Sequence, residues 1–402
     1  MNEIYKQIAN KAKEYEQNTA EFLVNMIKTP SFSTKEKEVI EVINKEMKKV
    51  GFDEVRVDGL GNIIGRIGSG KRIIAFDAHI DTVYPGDLKL WNFDPFNGHI
   101  KEGKVWGRGS VDQKGGMASM VYAAKIIKEL NLNKDFTIYF TGTVMEEDCD
   151  GLCWQYLVNE EKIKPEMVVI TEPTNMNIYR GHRGRMEMVI EIGGLSCHGS
   201  APERGDNAIY KISKIALAIE KLNDRLKDDP FLGKGTVAVT QVFFSSPSQC
   251  AVPDKASIQL DRRLTAGETR ESAVREVQEA AKLAGYPDAK VIVLRYEEKA
   301  YTGKIYPTDK YFPTWVLEEN SPWLKYAVSA FEDTFAKKPK VDKWTFSTNG
   351  IALAGMHNDI ACIGFGPGNE VYAHAPNESC PVEHLSQAAA FYAALVAKLN
   401  NI

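Results

Sequence analysis

The chain has 402 residues, of which 44% are hydrophobic and 26% charged, and its net charge is -4. That length exceeds one ordinary core and points to two or three domains, and the composition is that of a globular protein in water. No block of Lys and Arg offers a footprint for nucleic acid, and no apolar run approaches the roughly 18 residues of a membrane span.

The opening residues, MNEIYKQIANKAKEYEQ, are polar, lack an apolar signal-peptide core and read as a surface helix. Ser33 and Glu36 have the spacing of a capping box ahead of a helix from Glu36 to Lys49. Behind a Gly-Ser-Gly turn, Ile73-Ile74-Ala75-Phe76 reads as a buried strand. Gly115-Gly116 opens a helix with apolar residues at Met117, Met120, Val121, Ala124 and Ile127. Phe136 to Val144 and Met167 to Thr171 are further strands, and this β–α–β order predicts an α/β domain with a mostly parallel sheet flanked by helices.

Near residue 181 the texture changes. Met186, Met188, Ile190 and Ile192 alternate with Glu187, Val189 and Glu191, as in a half-exposed strand. A helix follows through Ala208 to Leu222, then strands at Val237–Phe244 and Ala256–Leu264, a helix at about Glu271–Ala284 and a strand at Lys290–Tyr296. The order β-α-β-β-α-β is that of a ferredoxin-like α+β unit. A helix at Trp323–Phe335, a strand at Ile360–Ile363 and a helix at Val382–Leu399 return to the first style. The expectation is a catalytic domain split into residues 1–180 and 297–402, with a lid of residues 181–296 inserted into it.

Six cysteines, Cys149, Cys153, Cys197, Cys250, Cys362 and Cys380, without an export signal fit a reduced, cytoplasmic protein. Cys149 and Cys153 lack the second pair that a structural zinc site needs. Other residues carry the chemistry. In parallel sheets, ligands gather beyond the carboxyl ends of strands. His79 follows the Ile73–Phe76 strand, and Asp81 is placed to hydrogen-bond its other ring nitrogen. Asp112 lies among four glycines in GRGSVDQKGG, and its two oxygens suit it to bridge two metals. Glu146 and Glu147 end one strand, with Glu147 expected as a ligand and Glu146 as the general base. Glu172 ends the next strand and His374 lies far along the chain; each can close the shell of one metal. His99, His182, His357 and His384 read as packed or surface residues. Imidazole plus carboxylate suits two divalent ions, with zinc expected and cobalt or manganese also compatible.

The segments AHIDTV, WGRGSVDQKGG, GTVMEED, ITEPT, SCHGSAP and VYAHAPNE resemble those of the M20 metallopeptidase family, in order and over most of the chain. That family includes acetylornithine deacetylases, succinyl-diaminopimelate desuccinylases, aminoacylases and dimeric carboxypeptidases, and within it the chain looks closest to the branch of selenium-metabolism-linked hydrolases. The resemblance implies a dinuclear zinc site, with His79, Asp112 and Glu172 on one metal and Asp112, Glu147 and His374 on the other. It also implies Asp81 as the partner of His79, Glu146 as the base, a homodimer formed through the lid, and His198 as an oxyanion donor supplied from the partner subunit. Arg263, on the polar face of a lid strand with Gln259 and Asp261, is the expected clamp for a substrate carboxylate.

The chain departs from the family in two loops that touch substrate in relatives. Cys250 stands where an Asn is common, and Ser347-Thr348-Asn349-Gly350 replaces a Gly-Thr-Asp-type loop, which makes Asn349 a substrate-binding candidate. The expected activity is therefore removal of the acyl group from a small N-acyl amino acid. A dipeptidase or carboxypeptidase using the same site, and a non-catalytic metal-stabilised binding module, are the alternatives. The presence of Glu146 argues against the last, because a pure binder needs no base.

Overall fold

A computed structural model of the chain describes residues 3–357 and 359–400. Its largest sheet has eight strands in the order Glu54–Val57, Ile63–Ile67, Phe136–Thr143, Arg72–His79, Met167–Ile170, Ala361–Gly364, Ile178–Tyr179 and Val341–Asp342. The four central strands run parallel to one another, antiparallel pairings join them to the strands on either side and join the first two strands, and the last two strands pair in parallel. Ile74 through His79 are all buried, as expected of a central strand covered on both faces. The Phe76 ring stacks on Phe140 at 5.2 Å and tilts against Tyr392 at 5.3 Å, which ties the sheet to the final helix. That helix, Val382–Leu399, is buried nearly all round because its alanine-rich middle lets the helices Lys114–Glu129 and Pro322–Phe335 approach closely.

A separate hydrophobic core lies in the inserted region. Met186, Met188 and Ile190 pack with Ile258 and Leu260 beneath the helices Ala208–Arg225 and Arg270–Leu283. The four strands run antiparallel in the order Thr236–Ser245, Lys255–Leu264, Gly184–Gly193 and Lys290–Val293. Numbered along the chain this order is 2-3-1-4, the ferredoxin-like arrangement. Tyr311–Phe312, beyond the boundary drawn at residue 296, pairs with Arg185 and Met186 and adds a fifth strand.

Three local expectations are modified. The Ser33–Glu36 capping box does not form: the Ser33 hydroxyl donates to Asp81, and the Glu36 carboxylate accepts the N–H groups of Thr34 and Met145. The helix begins at Lys37 without a side-chain cap, since both capping groups serve the loops at the sheet's carboxyl edge. The strand expected over Lys290–Tyr296 breaks after Val293, and Arg295–Tyr296 pairs with Thr308–Asp309 instead. The N-terminal segment forms two helices, Glu3–Glu14 and Glu16–Ile27, with Tyr5, Ile8 and Ala12 turned into the core. Among the described residues, no helix is long and apolar enough to cross a membrane.

Candidate metal centre

Three neighbouring parallel strands end side by side and deliver the acidic and imidazole groups. Arg72–His79 carries His79 at its last position, Phe136–Thr143 leads into Glu146 and Glu147, and Met167–Ile170 leads into Glu172. Between Thr143 and the glutamates, Met145 adopts a left-handed conformation with φ 62°. The turn there lets two adjacent glutamates reach one site, which an extended strand would forbid. The N–H groups of Glu146 and Glu147 donate to the two oxygens of Asp81, so that carboxylate holds the turn. His79 Nδ1 lies 2.9 Å from the backbone oxygen of Asp81 and 3.5 Å from its carboxylate. The ring is thus fixed chiefly by the carbonyl, whereas the carboxylate was the partner expected.

His79 Nε2 lies 2.9 Å from Asp112 Oδ1 and 3.4 Å from Glu172 Oε1. His374 Nε2 lies 2.9 Å from Glu147 Oε2 and 3.2 Å from Asp112 Oδ2. Two groups, His79–Asp112–Glu172 and Asp112–Glu147–His374, each bring their donor atoms within 4.8 Å of one another and share Asp112. Glu146 sits beside the first group, 3.8 Å from His79 Nε2.

The electrostatics call for cations. Burial, and then the charge of Asp112, push Glu172 well above the usual carboxylate range and Glu147 to about 7. Burial likewise raises Glu146, against the attraction of His79. Burial opposes ionisation of Asp112, but hydrogen bonds to His374 and His79 hold it well below that range. The same bond to Asp112, and then that to Glu147, lift His374 to about 10. Among the described residues, the buried Glu146 Oε1 and Glu172 Oε2 have no hydrogen-bond partner. Carboxylates crowded and left unpartnered in this way, beside two imidazoles, fit a pair of divalent ions.

The loops bearing Asp112 and His374 are tied together by residues whose part the sequence left unassigned. Buried Glu378 accepts from the N–H groups of Gly109, Val111 and Asp112 and from Arg108, whose guanidinium also donates to the His374 carbonyl. A cavity of about 400 Å³ opens over the site, lined by the acidic and imidazole groups and by Asp150, Arg185, Arg263, Phe346, Ser347 and Glu370. Arg263 therefore faces the centre, while its neighbour Arg262 turns into the lid to pair with Glu268 and Glu276. His198 is exposed on the lid, hydrogen-bonded to Ser200, and does not line this cavity. Asn349 is corrected: its amide is buried beneath the site, donating to Asp77 and Thr143 and accepting from Gly151 N–H and the Cys153 thiol. Ser347 is the member of that loop that lines the cavity. All six cysteines are free.

Comparison with known proteins agrees with this geometry. YgeY of Escherichia coli strain K12, whose function is uncharacterised, is 52% identical over 391 residues, covering 97% of this chain and 96% of that protein. A probable succinyl-diaminopimelate desuccinylase of Staphylococcus epidermidis is 25% identical, with 90% and 93% covered. Among solved structures, the Bacillus subtilis YXEP protein, described as a dinuclear metal binding peptidase from the M20 family, superposes with a TM-score of 0.68 at 15% identity, over 96% of this chain and 99% of that one. Residues 75–398, which contain every acidic and imidazole group of the centre, match the model of peptidase family M20/M25/M40, and the chain belongs to that family of hydrolases.

Proposed function

We propose that the protein is a dinuclear-metal-dependent amidohydrolase that removes the acyl group from a small N-acyl amino acid. The observation that carries this reading is the meeting, in one cavity, of two ligand groups joined through Asp112, the buried Glu146 carboxylate, one oxygen of which has no hydrogen-bond partner among the described residues, and the Arg263 guanidinium. His79, Asp112 and Glu172 would hold one ion and Asp112, Glu147 and His374 the other, with zinc the expected metal. Ions bound there would supply Lewis-acid polarisation of a carbonyl and would lower the pKa of water toward neutrality. Glu146 takes the proton from the attacking water and delivers it to the leaving amine, a role to which its burial and raised affinity for protons suit it. Arg263 orients the substrate by its carboxylate.

The negative charge that develops on the carbonyl oxygen needs a donor. His198 serves, brought by a second copy of the chain. The outer lid strand Thr236–Ser245 supports such a dimer, since it is a sheet edge that exposes Val242, Phe243 and Phe244. Six free thiols fit a reduced, cytoplasmic setting.

The test is hydrolysis of a panel of N-acetyl, N-succinyl and N-carbamoyl amino acids and dipeptides by zinc-, cobalt- or manganese-loaded protein, with Glu146→Ala alongside. Deacylation is expected, falling by about 10²–10⁴-fold in the variant. Turnover of dipeptides alone would replace the deacylase by a peptidase, and turnover unaffected by Glu146→Ala would remove Glu146 from the mechanism.

A further inference from the structure

The cavity wall opposite the acidic and imidazole groups holds a second guanidinium. Arg185 and Arg263 occupy directly opposed positions on the antiparallel strands Gly184–Gly193 and Lys255–Leu264, and both line the cavity. Two residues further along, Glu187 opposes Asp261 in the same register, and neither lines the cavity. The four charges form a square with like charges facing across the strands, an arrangement that costs stability relative to opposite pairs. Its effect is to turn the cationic edge toward the centre and the anionic edge away.

The two arginines differ in what they have left to offer. Arg263 spends Nε and Nη2 on Asp261, at 2.8 and 3.1 Å. Arg185 makes no side-chain hydrogen bond among the described residues. Among those residues only its Nη2 approaches carboxylates, Asp150 at 3.4 Å and Glu187 at 3.3 Å, and its buried Nε has no hydrogen-bond partner. Its guanidinium lies 4.8 Å from the centre of the Phe312 ring, on the strand that completes the lid sheet. It is therefore held in place by a ring and two anions with most of its five donors unused. Glu187 is shared with Lys310, and Arg183 nearby donates to a backbone carbonyl and forms no ion pair among the described residues.

We propose that Arg185 is a specificity residue that binds a second carboxylate, so that the substrate is an acidic amide carrying two carboxylates, one held by Arg263 and one by Arg185. This rests on the amidohydrolase reading and narrows its substrate class. A fixed guanidinium with an open fork binds a carboxylate in two parallel hydrogen bonds, which an uncharged isostere cannot replace.

The experiment compares kcat/KM within isosteric pairs that differ by one carboxylate: N-acetylglutamate against N-acetylglutamine, and N-succinylalanine against N-succinamylalanine. At least one dicarboxylate is expected to be favoured by about 10–100-fold, the worth of a hydrogen-bonded charge. Arg185→Gln should bring that ratio toward one, and Arg185→Lys should keep part of it. Calorimetric titration of metal-loaded protein with glutarate and with its monoamide gives the same comparison without turnover. Glutarate is expected to bind more tightly, and the advantage to vanish in Arg185→Gln, with the melting temperature reporting whether the variant is folded. Equal kcat/KM within both pairs, or a preference that survives Arg185→Gln, overturns the proposal while deacylation stands. If no amide is cleaved, the amidohydrolase reading fails, and the titration still decides whether Arg185 selects a dianion.

Discussion

Glu378 accepts four hydrogen bonds in a space sealed from water, three from the loop that ends at Asp112 and one from Arg108, which reaches on to the His374 carbonyl. Its removal leaves the buried Arg108 charge without its carboxylate and frees two loops that each bear a proposed ligand. Glu378→Ala is expected to cost about 3–5 kcal/mol of stability, the usual loss on breaking a buried pair. It should also weaken metal binding by about 10–100-fold, as loss of groups that orient ligands does. Denaturant unfolding and a metal titration read the two effects, and an unchanged metal affinity would reduce Glu378 to a purely structural group. The acidic and imidazole residues of the centre were legible in the sequence because their side-chain types carry the chemistry and because His79, Glu146, Glu147 and Glu172 follow strand ends, while Asp112 lies in a glycine-rich segment. Their supports were not. Ser33 and Glu36 had the spacing of a local cap and instead serve Asp81 and Met145, while Asn349 had the position of a substrate contact and faces Asp77. Those partners lie tens to hundreds of residues away, where spacing along the chain carries no information.

At the level of elements, the link between the two cores is a pair of short strands. Gly181–His182 enters the lid region and Trp315–Val316 returns from it, and the two pair with His182 opposite Trp315. His182 Nδ1 donates to the Arg183 carbonyl, and Nε2 accepts from the Trp315 indole and the Thr348 N–H. Only a neutral ring can do this, and burial, more than any charge, lowers its pKa to about 4. The unfolded chain binds this proton at about 6.5. Between those values the unfolded state carries more protons, so the stability due to His182 is complete above about pH 6.5 and is lost as pH falls toward 4. Replacement by Phe orphans the indole and Thr348 donors, at about 1–3 kcal/mol each. The expected result is that His182→Phe is less stable than the native chain at pH 7 and that the gap narrows at pH 5. Melting temperatures across that range check it, and a constant gap would mean that His182 titrates normally. The helices and most strands around this link were readable from apolar periodicity, and Val382–Leu399 matches to the residue. The linking strands, two residues each, are too short to show any period. The same limit hid Arg185, whose place beside Arg263 depends on the register of two strands separated by some seventy residues of chain.

For the whole molecule, the question is whether one chain holds a complete site. Every proposed metal ligand and Glu146 come from one chain, yet the exposed His198 stays outside the cavity they form. A lid that docks on a second copy through Val242, Phe243 and Phe244 would carry His198 to the partner's centre, and each centre would then draw on two chains. Subunit mixing separates this arrangement from a self-sufficient monomer. Glu146→Ala and His198→Ala proteins are each expected to be nearly inactive. When they are mixed and allowed to exchange subunits, a heterodimer has one centre with both defects and one with neither. Random exchange makes about half the dimers mixed, so activity should recover to about a quarter of the native level. If His198 acted within its own chain, every centre in the mixture would keep one defect and nothing would be regained. Phe244→Glu, which buries a charge in the proposed interface, should yield monomers by sedimentation with activity as low as that of His198→Ala. A fully active monomer would show that the centre needs no second chain and that the acyl oxygen takes its donor from the same chain.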